Sequence, residues 1–161
     1  GATIVSNYEI AVWFSKQGIE KWHPMNHGGW WNFDFGRVKY VSAVHSSVLP
    51  DGTNGGNPGG FIITSEVGNF YYSGDTALTM DMQLIPPWTK LDFALLPIGS
   101  NFTMDADDAI VAADFIQCKK IIGVHYDTFG FIKINHEESI LKFKKAGKEL
   151  FLMKIGEHKN L

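Results

Sequence analysis

Two hydrophobic periodicities divide the chain, and together they limit what it can fold into. From Trp30 to Ser73 the apolar residues fall in short alternating or continuous runs, at Trp30 to Phe35, Arg37 to Val44, Phe61 to Ser65 and Asn69 to Ser73. Alternation with period two marks strands that bury one face. Gly36 and the Val67-Gly68-Asn69 corner supply the turns, so the block reads as antiparallel sheet. After Asp75 the pattern changes. A helix is predicted around Leu78 to Ile85, a strand at Leu91 to Pro97, a helix from Asp105 to Ile116, a strand at Lys120 to Val124, a helix from Asn135 to Ala146 and a strand at Glu149 to Met153. Asp105 and Asn135 are suited to capping helix N-termini, and Gly147 to ending a helix. The chain opens with a predicted strand, Ala2 to Ser6. Asn7 then caps a helix that carries Ile10, Trp13 and Phe14 on one face before Gly18 stops it. An antiparallel block feeding an alternating one, with no linker or repeat, predicts a single layered α/β (α+β) domain over residues 1–161.

A hydrophobic content of 45% in 161 residues is enough for one real core. The net charge of −3 and the scatter of Lys and Arg, apart from a modest Lys142 to Lys148 cluster, leave no electrostatic footprint for nucleic acid. No apolar run approaches the ~18 to 20 residues that span a bilayer. The lone Cys118 lies in a hydrophobic stretch and reads as a structural thiol in a reducing cytoplasm. In the aromatic patch Trp30-Trp31-Asn32-Phe33-Asp34-Phe35, the spacing of Trp31, Phe33 and Phe35 predicts a sheet core rather than a base-stacking platform. Residues 46–60 are too rich in Gly, Pro and Asn for anything but a loop, and loops of that length tend to be functional or mobile.

Three ligand-type residues each end an apolar run: His45 after Tyr40 to Val44, Asp75 after Phe70 to Gly74, and His125 after Ile121 to Val124. A strand that stops at such a residue delivers it to a sheet edge. Imidazole nitrogens and a carboxylate suit zinc, manganese, iron or nickel, so convergence of the three predicts a metal site. A metal held in this way lowers the pKa of bound water to ~7 and polarises a carbonyl or phosphoryl group, which makes hydrolysis the natural reaction class. Asp75 has a second reading as the cap of a helix starting near Ala77. Asp127 and Thr128 are placed to orient the His125 ring.

Asn26-His27-Gly28-Gly29, Val44-His45-Ser46-Ser47, Ser73-Gly74-Asp75-Thr76-Ala77, the stretch from Leu95 to Met104, and His125-Tyr126-Asp127-Thr128-Phe129 occur in this order and spacing. Together they resemble the metallo-β-lactamase superfamily, and within it the small metal-dependent hydrolases related to L-ascorbate-6-phosphate lactonase. The resemblance implies an αββα sandwich, two metal ions, and hydroxide attack on esters, lactones, amides or phosphodiesters of a small-molecule substrate. It implies that His45 completes the three-histidine site, that Asp75 bridges the metals and that His125 completes the second site. Asp75 and His125 would then be the catalytic pair. Asn26, His27, Asn101, Tyr126 and Thr128 fall in motifs near the family's pocket and are its candidate substrate-binding residues.

One signature of the superfamily, His-x-His-x-Asp-His, is missing: the six histidines His23, His27, His45, His125, His136 and His158 have no such spacing. The expectation is therefore a family member without its N-terminal portion, with a weakened or absent metal site and little hydrolase activity. A homo-oligomer that covers the face left bare is also expected. A noncatalytic small-molecule or protein-binding domain on the same fold is the alternative.

Overall fold

The structure, a computed structural model, describes residues 1–160. Nine strands and three α-helices follow in the order β1 (Ile4–Asn7), α1 (Tyr8–Lys16), β2 (Trp22–Met25), β3 (Trp30–Phe33), β4 (Gly36–Ser42), β5 (Gly59–Ser65), β6 (Gly68–Tyr72), β7 (Phe93–Pro97), α2 (Ala106–Phe115), β8 (Lys120–Val124), α3 (His136–Lys145) and β9 (Glu149–Phe151). Short 3-10 helices lie at Met80–Leu84 and Gly130–Ile132.

Strands β3 to β9 form one sheet in chain order, antiparallel from β3 to β6 and parallel from β6 to β9. The change of pairing at β6 coincides with the change of periodicity after Asp75, because parallel strands need a crossover and antiparallel ones need only a turn. Strands β1 and β2 pair in parallel as a separate small sheet, with α1 as the connection between them.

Two cores sandwich the large sheet. On one face Val41, Ile62, Tyr71, Ala94, Leu96 and Ile121 pack with Ala109, Ala112 and Ala113 of α2 and Phe143 of α3. On the other, Val38 and Tyr40 of β4 pack with Val5 of β1 and Met25 of β2. With α1 against the small sheet, the layers run helix, small sheet, large sheet, helices. Helix α3 is tied to α2 by Lys142 to Asp107, and the turn after α3 by Lys148 to Asp114, each at 2.7 Å, so two of the four lysines of the basic cluster are paired structure. Cys118 is buried, and burial pushes its thiol pKa up, as befits an inert packing residue.

Three expectations change. The helix predicted over Leu78 to Ile85 is only the 3-10 turn Met80–Leu84, capped by Thr79; Pro86 and Pro87 follow after Ile85, and neither has the amide hydrogen that a longer helix would need there. The strand predicted through Phe35 stops at Phe33, and the aromatic patch is core only at Phe33, which packs on the second core and edge-on to His23 of β2. Trp30, Trp31 and Phe35 are 51%, 53% and 61% exposed, because β3 is the edge strand of the large sheet. Strand β2 has no counterpart in the sequence reading.

Candidate metal centre

Strand direction explains how residues 80 positions apart reach one place. Because β4 and β6 are both antiparallel to β5, they run the same way, and β7 and β8 are parallel to β6. The C-terminal ends of β4, β6 and β8 therefore share one edge of the sheet, and His45, Asp75 and His125 each emerge just beyond one of those ends. With strands ~4.8 Å apart, β6 stands about 10 Å from both β4 and β8, so Asp75 occupies the middle position.

His125 has φ of 54°. A non-glycine residue in this left-handed region is strained and has to be held by its surroundings, a condition that gathers at functional sites. Several groups hold it. The Ile98 amide donates to the Val124 carbonyl at 3.1 Å, the Asp127 amide donates to the Ile132 carbonyl at 2.8 Å, and the Asp127 carboxylate accepts from the Ile134 amide at 3.0 Å. Gly99 allows the close approach, since a Cβ there would collide with the His125 carbonyl and Ile132. The outcome is a ring whose Nε2 lies 3.5 Å from Asp75 Oδ2, while its Nδ1 is buried with no hydrogen-bond partner among the described residues.

Asp75 caps no helix. Ala77 starts none, and its amide donates instead to the Val44 carbonyl at 3.0 Å. The link that joins the His45 and Asp75 loops is Thr76, fully buried, whose hydroxyl accepts from the Val44 amide at 2.9 Å and donates to the Ala77 carbonyl at 2.7 Å. Sequence reasoning passed over Thr76, although its place directly after Asp75 was a usable signal.

His45 is exposed and its Nδ1 lies 2.9 Å from the Ser46 carbonyl. A carbonyl only accepts, so Nδ1 carries the proton and Nε2 keeps its lone pair, the tautomer a metal ligand needs. His45 and Asp75 line one cavity of about 330 Å³ with Asn7, Tyr40, Phe61 and Tyr72. The Tyr72 hydroxyl pKa is raised by burial and by the charge of Asp75, so that hydroxyl stays protonated as a donor.

The donor set suits a divalent ion, with imidazole nitrogens and one carboxylate at a common edge. Even so, among the described residues no group of three His, Cys, Asp or Glu side chains is close enough to hold one ion together. The three do not form a single closed site; they form the pair Asp75–His125 and, across the cavity, His45. Asp127 does not orient His125 as expected, because its carboxylate is taken by the Ile134 amide and by His136 Nε2. Thr128 is exposed.

The five candidate substrate residues lie outside this cavity. Asn26 accepts from the His27 amide at 2.8 Å and shapes the turn after β2. His27 donates from Nε2 to the Pro58 carbonyl at 2.8 Å and stacks on Tyr40, so it anchors the Gly-rich loop. Asn101 sits in an exposed left-handed turn with φ of 59°. Tyr126 packs against the core and, edge-on, against His136.

Comparison with known proteins bears on this arrangement. Residues 3–126 match the family description Beta-lactamase superfamily domain. The chain belongs to this superfamily. Within it, the chain is 65% identical over 156 residues to the UPF0173 metal-dependent hydrolase of Flavobacterium johnsoniae, covering 97% of this chain and 69% of that one. It is 43% identical over 157 residues to a UPF0173 metal-dependent hydrolase of Thermus thermophilus, covering 98% and 69%. Among solved structures, a metallo hydrolase from the archaeon Ignicoccus hospitalis superposes with a TM-score of 0.86 at 32% identity, over 98% of this chain and 67% of the other. The mixed α/β architecture is thus that of the superfamily. An isothiocyanate hydrolase from Delia radicum gut bacteria shares the fold at a TM-score of 0.71 and 15% identity, over 92% of this chain and 63% of that one.

Proposed function

We propose that this chain holds a divalent ion, of the zinc, manganese, iron or nickel class, with Asp75 and His125, and that His45 serves a neighbouring position on the other side of Asp75. We further propose hydrolysis of a small-molecule ester, lactone, amide or phosphodiester in the cavity beside them. The observation that carries this reading is the approach of Asp75 Oδ2 to His125 Nε2, 3.5 Å, at the sheet edge from which His45 also emerges. The relatives named metal-dependent hydrolases support it. A bound ion would supply Lewis-acid polarisation and bring the pKa of a coordinated water to ~7.

The chain's own residues do the rest. Thr76 sets the spacing between the His45 and Asp75 loops. Ser46 fixes the tautomer of His45, and the Tyr72 hydroxyl is available to donate to a substrate oxygen in the cavity. Two or three protein ligands, with no further carboxylate among them, are expected to hold the ion weakly and to give slow turnover. The same scarcity of ligands favours the alternative, a noncatalytic binding domain on this fold.

Calorimetric titration with Zn²⁺ and Mn²⁺, together with hydrolysis of p-nitrophenyl esters and bis-p-nitrophenyl phosphate, tests the reading. Metal binding, and any turnover, should be lost in Asp75→Ala and weakened in His45→Ala. Metal affinity unchanged by Asp75→Ala would refute it, and a protein that binds no metal while keeping its fold would establish the noncatalytic alternative.

A further inference from the structure

At the opposite end of β4 from His45, a second cavity of about 360 Å³ opens beside the edge of the large sheet, lined by Trp30, Arg37, Lys39, Ile62, Pro87 and Trp88 with the hydroxyls of Thr64 and Thr89. Alternation places Arg37 and Lys39 on the same face of β4, about 7 Å apart along the strand. Trp30 is opposite Lys39 on β3, while Ile62 and Thr64 are opposite Lys39 and Arg37 on β5. The Arg37 guanidinium lies 3.7 Å over the Trp30 ring, and the Lys39 ammonium 4.3 Å over the Trp88 ring.

Neither cation has a carboxylate within 4.0 Å among the described residues. Lys39 is half-buried, and its ammonium donates to the uncharged Gly28 carbonyl at 2.9 Å. Two like charges on one strand face, neither with a carboxylate partner, repel each other. The indole rings keep both in place, so the cost of ordering long side chains is already met before a ligand arrives. An anion between them would relieve the repulsion, and the guanidinium fork matches a carboxylate in two-point geometry. Trp30, Ile62, Pro87 and Trp88 supply flat apolar wall between the polar groups. The volume equals about a dozen waters at ~30 Å³ each, room for a fused-ring acid.

We infer that this Trp30–Arg37–Lys39–Trp88 cavity binds a small arylcarboxylate, at a site separate from the metal centre. It shares no residue with His45, Asp75 and His125, so its test and that of the hydrolase reading fail independently.

Isothermal titration with 2-naphthoate tests the inference, with 2-naphthamide as the neutral isostere and acetate as the charge without a ring. Naphthoate should bind, with the amide and acetate each at least about tenfold weaker. Arg37→Gln and Lys39→Met should each weaken naphthoate about tenfold or more while the far-UV circular dichroism is unchanged, and Trp88→Leu should weaken naphthoate more than acetate. If Arg37→Gln does not fold, Lys39→Met and the amide comparison decide. Equal binding of naphthoate and its amide overturns the role of the cations. Equal binding of acetate and naphthoate overturns the role of the rings, and absence of naphthoate binding at millimolar concentration overturns the site.

Discussion

Among single residues, Thr76 does most to set the geometry of the centre. Its hydroxyl bridges the Val44 amide and the Ala77 carbonyl at a position with no solvent access, while its main-chain carbonyl accepts from the Met104 amide at 3.2 Å. Thr76→Val keeps the shape and removes the hydroxyl, so the half-buried Val44 amide loses its partner. That costs about 0.5 to 1.5 kcal/mol. Urea denaturation should show the loss, and titration of the folded variant with Zn²⁺ should show weaker binding, since the His45 and Asp75 loops are no longer tied. Thr76→Ser, which keeps the hydroxyl, should restore both. Stability equal to that of the parent protein would mean that the bridge has no energetic role.

Among the elements, the Gly-rich loop over residues 46–60 matters most to access. It is pinned rather than loose. Asn7 donates to the Gly55 carbonyl at 2.6 Å and the Asn57 carbonyl at 3.2 Å, while its own oxygen accepts from the Ile10 amide as the cap of α1. Asn7→Ala therefore removes a helix cap and a loop tether together. A loss of about 1 to 2 kcal/mol is expected from the cap alone, with faster amide exchange at Gly55 to Asn57 as the check. The loop's far end is held by Asp51, which accepts from the Trp13 indole N–H at 2.7 Å and the Thr53 amide at 2.9 Å. Hydrogen bonds from the Thr53 hydroxyl and amide, then from Trp13, hold the Asp51 carboxyl below its usual value. A carboxyl depressed in the folded state contributes fully above its ordinary pKa of about 3.9, and the contribution disappears as pH falls through the lower folded value. Exchange of the Trp13 indole proton should therefore accelerate only below about pH 4, and Asp51→Asn should abolish that acid step.

Elements also show what the sequence could disclose. The caps Asn7, Asp105 and Asn135 each accept from the amide three residues on, a local relation that was legible in full. Strand β2 escaped because Trp22-His23-Pro24-Met25 has a proline at its centre and little alternation; the proline is tolerated where β2 pairs with β1 alone. The Trp30 to Phe35 alternation was real, and Phe33 does meet the small sheet, but periodicity does not tell how far a layer extends over an edge strand. His45, Asp75 and His125 were legible as strand ends, whereas the closeness of Asp75 to His125 depends on β7 lying between β6 and β8. The Arg37 and Lys39 cavity was invisible, since the Trp88 wall comes from a segment some fifty residues further on.

Taken whole, the molecule has a large sheet with two unlike faces. From β6 to β9 one face carries Tyr71, Ala94, Leu96, Ile121 and Leu150, all buried beneath the helices. Register places Phe70, Tyr72, Phe93, Leu95, Ile122, Val124 and Phe151 on the other face, and none of these is buried. The small sheet and α1 cover that face over β3 to β5, where Val5 and Met25 meet Phe33, Val38, Tyr40, Phe61 and Ile63. Tyr72 is exposed and the other six are half-buried, an apolar strip of the kind that marks an interaction surface. Self-association through it is the expected outcome, with Phe70 and Phe93, already stacked at 5.0 Å between ring centroids, at the middle of the contact. Multi-angle light scattering at micromolar concentration should give a mass above the 18.0 kDa of one chain. Phe93→Lys sets a charge in the contact with little effect on the buried face, and should return the protein to a monomer. A parent chain that is monomeric at those concentrations would show that this face stays solvated on its own.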